Sequence, residues 1–381
     1  MICDTDQAHR RRKRALPFVR KAIGGVPLIG SGSLALPHLV CQLHRRRANK
    51  EQRVRAIRVY APGGPEVMRL EEIPDPNPGP GEVVVRLEAI GVNVLEVFQR
   101  RGDLPLKTPF TPGGEAAGMV AAVGDGVSTL RVGDRVTSQA FAGSYAELAR
   151  APAERVVRLP DKVDAQAGAA VLARGITAHY LATTTYPLKP GDRCLVQAGA
   201  GGVGLFLCQI AKRRGAWVIA TTADVERAAL VREAGADHVI VYPGSDVVTE
   251  VKRLTNGAGV DVVYDSVGKD TFDESLDCLR TRGMMVLCGS ASGPVPPFDP
   301  EVLNRKGSLY LTRPLFAHYV ADAAELRARI TDLLNWIADG WLHVRIQRAL
   351  PLSDAIDAHR VLESHRAVDN RETGGKMVLV P

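Results

Sequence analysis

Short runs of alternating apolar and polar residues, separated by glycine and proline, characterise the chain from residue 54 to residue 176. The clearest runs are 54–60, 82–90, 118–123 and 144–149, and turn pairs such as Gly133-Asp134 stand between them. Alternation with a period of two is typical of strands that bury one face, and glycine and proline mark the turns. Residues 54–176 are therefore predicted to form a small, mostly antiparallel β domain.

From residue 193 onward, apolar runs of strand length alternate with segments of helix length. The predicted strands are 194–198, 217–221, 238–241, 260–264 and 284–288, and the predicted helices are 203–214, 225–234, 246–255 and 271–280. Strands spaced by helices of this length form βαβ units. The pattern predicts a Rossmann domain with a doubly wound parallel sheet over residues 177–317, so that the fold class is α/β.

The last part of the chain does not continue this alternation. It contains a long amphipathic stretch from Pro314 to Ile337, a short strand, a helix over 354–364 and a final apolar strand over 376–380. That final strand has no candidate partner strands near it in sequence. Residues 318–381 are therefore expected to return to the first domain.

The first 53 residues differ in composition from the rest and are left out of the fold prediction. The chain carries 49 basic and 42 acidic residues, of which twelve and three lie in residues 1–53, leaving 37 and 39 in residues 54–381. The basic balance thus belongs to this leader. We expect a disordered segment or an over-called start codon, with a targeting role as the alternative. Pro27 and Pro37 interrupt its apolar stretch 22–41, which argues against a spanning helix.

The cysteines are scattered along the chain. They lie at positions 3, 41, 194, 208, 278 and 288, with no Cys-x-x-Cys pair. Such spacing favours reduced thiols over a disulfide framework or a metal knuckle. A cytoplasmic location is therefore expected.

A glycine-rich turn follows the first predicted strand of the α/β part. It reads Gly199-Ala200-Gly201-Gly202-Val203-Gly204 and opens the next predicted helix. In this context glycines allow a tight turn and the close approach of a pyrophosphate, whose charge the helix N-terminus stabilises. The predicted dinucleotide-binding residues of this turn are Gly199, Gly201, Gly202, Val203 and Gly204.

The end of the second strand predicts which dinucleotide binds. An NAD-dependent enzyme normally places a carboxylate there for the ribose hydroxyls, whereas this strand ends in Thr221-Thr222. Arg227 follows and Tyr242 ends the next strand, so that a guanidinium and hydroxyls can surround a 2′-phosphate. NADPH is therefore the predicted cofactor. Two alternatives remain open: Asp224 contacts a ribose hydroxyl instead, or Arg227 is only a solvated helix charge.

Further motifs extend from about residue 55 to the end of the chain. They include Pro112-Gly113-Gly114-Glu115, Gly143-Ser144-Tyr145-Ala146-Glu147, Arg174-Gly175-Ile176-Thr177-Ala178 and Val263-Tyr264-Asp265-Ser266-Val267-Gly268. Together with the glycine-rich turn, they resemble the zinc-independent, zeta-crystallin-like quinone oxidoreductases of the medium-chain dehydrogenase/reductase superfamily. The resemblance implies a GroES-like catalytic domain beside the Rossmann domain and NADPH as hydride donor.

The resemblance also implies that no metal takes part. Zinc-dependent alcohol dehydrogenases of the superfamily carry cysteine, histidine and cysteine where this chain has Asn93, Gly114 and a position near Arg174. Zinc requires thiolate, imidazole or carboxylate ligands, which these three residues do not offer. The sequence has no cysteine between residues 42 and 193, so the four-cysteine structural lobe of those enzymes is missing as well.

Site residues carry over from the family one position at a time. Asn93 and Thr177 are expected beside the nicotinamide, although a helix cap and an ordinary helix hydroxyl are their alternatives. Along the cofactor the resemblance places Tyr180, Thr222, Arg227, Tyr242, Ser266, Val267, Gly289, Ser290, Leu311, Arg313 and Arg371. For Arg371 a surface charge is the alternative.

Two positions in the catalytic part depart from the family. Phe98 stands where the family often has a tyrosine, and Glu96 stands where it has an aspartate. A phenyl ring donates no proton, so a tyrosine acid at position 98 is excluded. Phe98 is expected to make the cleft apolar, as suits a flat quinone or conjugated carbonyl, or else to be an ordinary packing residue.

The resemblance implies direct hydride transfer from NADPH to a quinone, a small-molecule substrate. Reduction of the C=C bond of an enone, alkenal or enoyl thioester is one alternative. A crystallin-like or RNA-binding role is another, against which the near-neutral body counts. A homodimer is expected, with strand 308–312 as the candidate for edge pairing. Neither a nucleic-acid partner nor stable membrane insertion is expected.

Overall fold

The computed structural model describes residues 53–242, 244–364 and 375–381. Its strands are β1 (Arg53–Val59), β2 (Met68–Pro74), β3 (Glu82–Gly91), β4 (Ala116–Val123), β5 (Arg135–Ser138), β6 (Leu148–Pro152), β7 (Val157–Arg158), β8 (Arg193–Val196), β9 (Trp217–Thr222), β10 (His238–Val241), β11 (Val260–Asp265), β12 (Leu279–Leu287), β13 (Tyr310–Thr312), β14 (Ile346–Pro351) and β15 (Lys376–Val380). Except for its last residue, Arg53, the predicted leader lies outside the described residues.

The α-helices differ greatly in length. In chain order they are α1 (Val94–Arg101), α2 (Ala165–Ala170), α3 (Leu172–Tyr180), α4 (Gly202–Arg213), α5 (Val225–Glu233), α6 (Val247–Leu254), α7 (Phe272–Asp277), α8 (Glu301–Arg305), α9 (Phe316–Tyr319), α10 (Ala323–Ala338) and α11 (Ala355–Ser364). Shorter helical turns lie at Pro65–Val67, Ala153–Arg155, Leu181–Thr185 and Leu352–Asp354. No described helix is long and apolar enough to cross a membrane.

Six parallel strands form the sheet of the α/β part. Their order is β10-β9-β8-β11-β12-β13. The chain runs outward from β8 to β10 and then crosses back to β11, which pairs with the other side of β8. Strands β8, β9 and β11 are apolar and almost wholly buried, as strands covered on both faces are. The predicted doubly wound parallel sheet is confirmed.

Three predicted elements in this part have wrong boundaries. The strand predicted over 194–198 ends at Val196, and Ala198 adopts a left-handed backbone (φ 54°) that turns the chain toward the glycines. The helix predicted over 271–280 is only Phe272–Asp277. Strand β12 begins earlier than predicted because Leu279 already pairs with Val260, ahead of a shift in the register.

The antiparallel part is organised around the long strand β3. This strand pairs with β4 and β6 along its length and with β15 at its end. The full sheet has the order β14-β15-β3-β4-β5-β7, with β6 beside β3. The final strand of the chain therefore lies next to the first domain's longest strand. The predicted domain boundaries at residues 54, 177 and 318 stay predictions.

Two segments of this part differ from the prediction. The strand predicted over 144–149 is wrong, because Ser144 and Tyr145 donate backbone hydrogen bonds to Gly113 and Pro112, and β6 begins only at Leu148. The amphipathic stretch after Pro314 is divided into α9 and α10. The division lies before Asp322, whose side chain accepts a hydrogen bond from the N–H of Glu325 and so begins α10.

Candidate active site

The carboxyl ends of the six parallel strands form one edge, and this edge collects the predicted cofactor residues. From β10 to β13 it carries Tyr242, Thr222, the glycine-rich turn 199–204, Ser266 with Val267, Gly289 with Ser290, and Leu311 with Arg313. The winding direction reverses between β8 and β11. In doubly wound sheets the ligand crevice opens at this reversal, outside the carboxyl ends of the strands.

The glycine-rich turn brings its backbone close to neighbouring chain. A Cβ at Gly204 would lie 2.5 Å from the carbonyl oxygen of Ala198, and one at Gly199 would lie 2.8 Å from the Cβ of Ala220. Helix α4 begins directly after Gly201, and no side chain caps it among the described residues. The first N–H groups of the helix are therefore open to an anion.

A buried aspartate holds the neighbouring turn after β11. One carboxylate oxygen of Asp265 accepts from the N–H groups of Val267 and Gly268 at 2.8 and 2.9 Å. The other accepts from the hydroxyls of Thr271 and Ser275 at 2.7 and 2.8 Å. Asp265 has no exposed surface. This side chain therefore fixes the path of the predicted cofactor residues 266 and 267.

A glutamine and a threonine link the first and second strand ends. The hydroxyl of Thr221 donates to Oε1 of Gln197 at 2.7 Å and accepts from the N–H of Ala198 at 3.1 Å. The amide of Gln197 reaches Ser275 at 3.2 Å. The turn before the glycines is thus joined to β9 and to α7 by buried side chains.

The far end of the edge carries the residues predicted for a 2′-phosphate. Thr222 is buried, and its hydroxyl has no hydrogen-bond partner in the part of the chain that the structure describes. Asp224 caps helix α5 by accepting from the N–H of Arg227 at 2.7 Å, and its other oxygen lies 3.0 Å from Nε of Arg227. The Asp224 carboxylate is therefore paired with the Arg227 guanidinium, and the role of Arg227 toward a 2′-phosphate stays a prediction.

Helix α3 carries two of the predicted site residues one turn apart. The hydroxyl of Thr177 donates to the carbonyl of Ala173 at 2.7 Å and is also hydrogen-bonded to the side chain of Tyr180. The ring of Tyr180 stacks on Tyr319, with centroids 4.0 Å apart. Burial raises the pKa of Tyr180 to about 12. Its hydroxyl is therefore protonated at neutral pH.

A cluster of two buried charged side chains, Lys376 and Glu115, contacts Asn93. The Lys376 ammonium contacts Oδ1 of Asn93 and lies 2.6 Å from Oε1 of Glu115. The other oxygen of Glu115 accepts from the N–H of Ala173 at 2.7 Å, on the same turn of α3 that holds Thr177. The cluster thereby joins the two residues that were predicted beside the nicotinamide.

Asn93 stands at the N-terminus of α1, and its backbone N–H donates to Oε2 of Glu96 at 2.8 Å. Burial raises the pKa of Glu96 to about 7, against the opposing charge of Lys376. Phe98 is half-buried on the same helix. The structure therefore gives Asn93 a capping position as well as a place in the cluster.

The remaining predicted residues have varied settings. Arg313 is exposed, and its guanidinium donates to the carbonyl of Leu287 at 2.8 Å, tying the end of β12 to the segment after β13. Gly289 lies close to the end of the neighbouring strand β11. A Cβ at Gly289 would lie 2.3 Å from the carbonyl oxygen of Ser266, the residue that follows β11. Arg371 lies outside the described residues.

Comparison with known proteins decides the family. The family model of the alcohol dehydrogenase GroES-like domain matches residues 79–161, and that of the zinc-binding dehydrogenases matches residues 202–330. A quinone oxidoreductase of Salmonella typhimurium is 42% identical over 85% of this chain and 99% of its own length. The chain belongs to the quinone oxidoreductase family of medium-chain dehydrogenases/reductases.

Two further members show the range of the relatives. The crystal structure of Escherichia coli quinone oxidoreductase complexed with NADPH superposes with a TM-score of 0.79, at 40% identity, over 86% of this chain and 100% of that one. A 2-haloacrylate reductase of a Burkholderia species is 39% identical over 86% of this chain and 99% of its own. The predicted GroES-like and Rossmann parts of the quinone oxidoreductase family are thus confirmed.

The zinc-ligand positions of the superfamily hold other contacts in this quinone oxidoreductase. The Asn93 amide contacts Lys376, and the Arg174 guanidinium donates to the carbonyl of Gly375 at 2.9 Å. Within residues 53–242, 244–364 and 375–381, no three His, Cys, Asp or Glu side chains come together as metal ligands would.

Sequence analysis assigns no site role to three residues that the structure brings to the crevice. Asp265 and Glu115 lie inside family motifs, but their partners are visible only in the fold. Lys376 stands at the start of an apolar strand and resembles an ordinary flanking charge. The fully apolar run after Lys376 was the available signal, because a strand of that kind is usually buried on both faces.

Proposed function

We propose that this chain is an NADPH-dependent quinone reductase that works without a metal. The observation that carries the proposal is the adenosine end of the crevice, where β9 ends in Thr222 and the nearby Asp224 carboxylate is paired with Arg227. In the described part of the chain, the carboxylate beside this strand end is therefore compensated by a guanidinium and does not repel a 2′-phosphate as a free carboxylate would. The Salmonella relative named quinone oxidoreductase and the E. coli structure with NADPH support the same function.

The residues along the edge fit the dinucleotide. The close packing at Gly199 and Gly204 leaves no room for side chains and lets the pyrophosphate approach the backbone. The uncapped start of α4 supplies N–H donors to its charge. The buried hydroxyl of Thr222, which has no partner among the described residues, is satisfied when a ribose or phosphate oxygen lies beside it.

NADPH supplies a hydride from C4 of the nicotinamide when it is bound. The protein's part is to hold the two reactants together in a dry cleft. Thr177 orients the nicotinamide by accepting a hydrogen bond, since its own proton is given to Ala173. Tyr180 supports the cofactor by packing, since its ring is held in a stack on Tyr319. Water supplies the proton that completes the reduction.

Reduction of a conjugated C=C bond is the second candidate function. The relative named 2-haloacrylate reductase favours it. The same hydride donor serves both reactions, since a quinone and an enone each present a carbonyl conjugated to a C=C bond. The half-buried Phe98 suits either flat acceptor.

The test is NADPH oxidation followed by absorbance, with 1,4-benzoquinone, 9,10-phenanthrenequinone or crotonaldehyde as acceptor and a chelator present throughout. We expect rapid oxidation of NADPH with a quinone and slow oxidation of NADH. Turnover with crotonaldehyde but with neither quinone would mean that the protein reduces alkenes rather than quinones. Binding of NADPH without turnover on any acceptor would refute both functions.

We also propose that the protein is a homodimer joined through β13. This strand ends the six-stranded sheet, so one side of its backbone is free to pair, and its Tyr310 is 57% exposed. A monomer mass in analytical ultracentrifugation would refute the dimer.

A cytoplasmic location is proposed as well, because Cys194, Cys208, Cys278 and Cys288 are free thiols. Fractionation of cells that express the full chain tests it.

A further inference from the structure

An almost fully buried lysine contacts the side chain of Asn93. Lys376 begins β15 and is 2% exposed, and Glu115 is 3% exposed. Burying an ammonium is costly unless a charge and hydrogen bonds compensate it. The Glu115 carboxylate at 2.6 Å supplies the charge, and Oδ1 of Asn93 supplies an acceptor. The structure therefore holds this cation in contact with Asn93 at a considerable desolvation cost.

The contact determines which way the Asn93 amide points. An ammonium group only donates hydrogen bonds, so the carbonyl oxygen of the amide faces Lys376 and its NH₂ group faces away. Lys376 is buried, whereas Asn93 is partly exposed. In the described part of the chain, no hydrogen bond of the Asn93 NH₂ group is formed to another residue. The two N–H donors of Asn93 thus point away from the buried lysine, on a residue that is partly exposed.

The surrounding charges keep the lysine in place. Burial lowers the pKa of Lys376, while the adjacent Glu115 raises it. Glu115 is itself held by the N–H of Ala173 at 2.7 Å. Glu96 is the other carboxyl that faces the lysine, and it is hydrogen-bonded to the backbone of Asn93. Arg174, which donates to the carbonyl of Gly375, is a like charge that opposes these carboxylates by lowering the pKa of Lys376.

We propose that Lys376 is a positioning residue that fixes the Asn93 amide, so that an Asn93 N–H donates to the carbonyl oxygen of the acceptor during reduction. The inference rests on the proposed function and names the group that polarises its substrate. In the step, the C4–H bond of NADPH breaks and its electron pair enters the acceptor with the hydrogen. Negative charge then grows on the acceptor's carbonyl oxygen, where the Asn93 N–H stabilises it until water supplies a proton. NADPH is oxidised and the acceptor is reduced by two electrons.

The test is a cycle of four proteins: wild type, Asn93→Ala, Glu115→Gln/Lys376→Met, and the triple variant. The ion pair is replaced as a unit because Lys376→Met alone would leave a buried carboxylate without a partner. A donor aimed at a developing negative charge contributes about 10²–10³ in kcat. When the donor is still present but no longer held in one orientation, kcat should fall by only part of this factor. We therefore expect Glu115→Gln/Lys376→Met to lower kcat about tenfold with little change in KM.

In the Asn93→Ala background, the same double replacement should change kcat less than twofold, because the lysine then has no amide to orient. The dissociation constant of NADPH, measured by fluorescence, should stay within twofold of wild type in all four proteins. Asn93→Asp keeps the contact with Lys376 and removes the N–H donors, so its kcat should fall as far as that of Asn93→Ala. A matched control is Lys306→Met/Asp277→Asn, which removes a Lys–Asp pair at the opposite edge of the sheet and should keep the wild-type kcat.

Three results would overturn the inference alone while quinone reduction by the wild type stands. The first is an equal fall of kcat in both backgrounds, which would mean that Lys376 acts independently of Asn93. The second is an unchanged kcat in Glu115→Gln/Lys376→Met or in Asn93→Asp. The third is a weaker NADPH affinity that accounts for the loss. If the wild type oxidises NADPH with neither quinone nor enone, the proposed function and this inference both fall.

Discussion

Replacement of Arg227 by alanine tests the adenosine end of the crevice. The guanidinium lies 3.0 Å from Asp224 and is positioned on the first turn of α5, beside the end of β9. A charged hydrogen bond contributes roughly 1.5–3 kcal/mol, so its loss should weaken NADPH binding about 10- to 150-fold at 1.4 kcal/mol per decade. The unpaired Asp224 carboxylate should then repel the 2′-phosphate, which favours the upper part of this range.

The fold should survive the replacement. Asp224 accepts from the backbone N–H of residue 227, which alanine retains, so the cap of α5 is kept. NADH has no 2′-phosphate, and its affinity should change less than twofold. The assay is fluorescence titration with both dinucleotides, with Arg232→Ala, an exposed cation on the same helix, as the charge-matched control. An equal loss for NADH and NADPH would refute the assignment of Arg227 to the phosphate.

Three further outcomes follow from the buried contacts. Asp265→Ala removes an acceptor of four hydrogen bonds and should lower the free energy of unfolding in urea by roughly 3 kcal/mol; a loss below about 1 kcal/mol would contradict the role given to this turn. Tyr180→Phe keeps the stack on Tyr319 and should leave kcat/KM within twofold, whereas a tenfold loss would mark the hydroxyl as a proton donor. Burial raises the pKa of Glu96 from 4.5 to about 7, so the folded protein retains a proton that the unfolded chain loses, and stability falls as pH rises across that interval. Glu96→Gln should remove this part of the pH dependence, and urea melts of both proteins that shift in parallel would contradict it.

Local pattern was sufficient to predict the parallel sheet and its ligand edge. Residues 199–204 lie between a buried strand and a helix, and strand β9 ends without a carboxylate. Both features depend only on residues that are close together in sequence. The strand end at Val196 was not predictable, because a left-handed Ala198 breaks the preference of its own residue type. Tertiary context therefore decided that boundary.

The contacts of Asn93 with the buried charges could not be predicted from sequence patterns, for a different reason. Lys376 meets Asn93 across 283 positions of the chain, and only the pairing of β15 with β3 brings them together. The buried hydroxyls that donate to Asp265 come from Thr271, directly before α7, and from Ser275 within it, and the length of this helix was overestimated. Which charged residues become buried depends on long-range strand pairing, and periodicity along one segment carries no information about it.

Single-turnover reduction of a quinone is a direct test of metal-free hydride transfer from NADPH by this protein. The protein is loaded with NADPH deuterated at the transferred C4 position, mixed rapidly with 1,4-benzoquinone in the presence of a chelator, and compared with the unlabelled dinucleotide. We expect one hydroquinone per NADPH, unchanged by the chelator, and a slower reaction with deuterium. NADPH that remains unoxidised, or activity that the chelator abolishes, would contradict it.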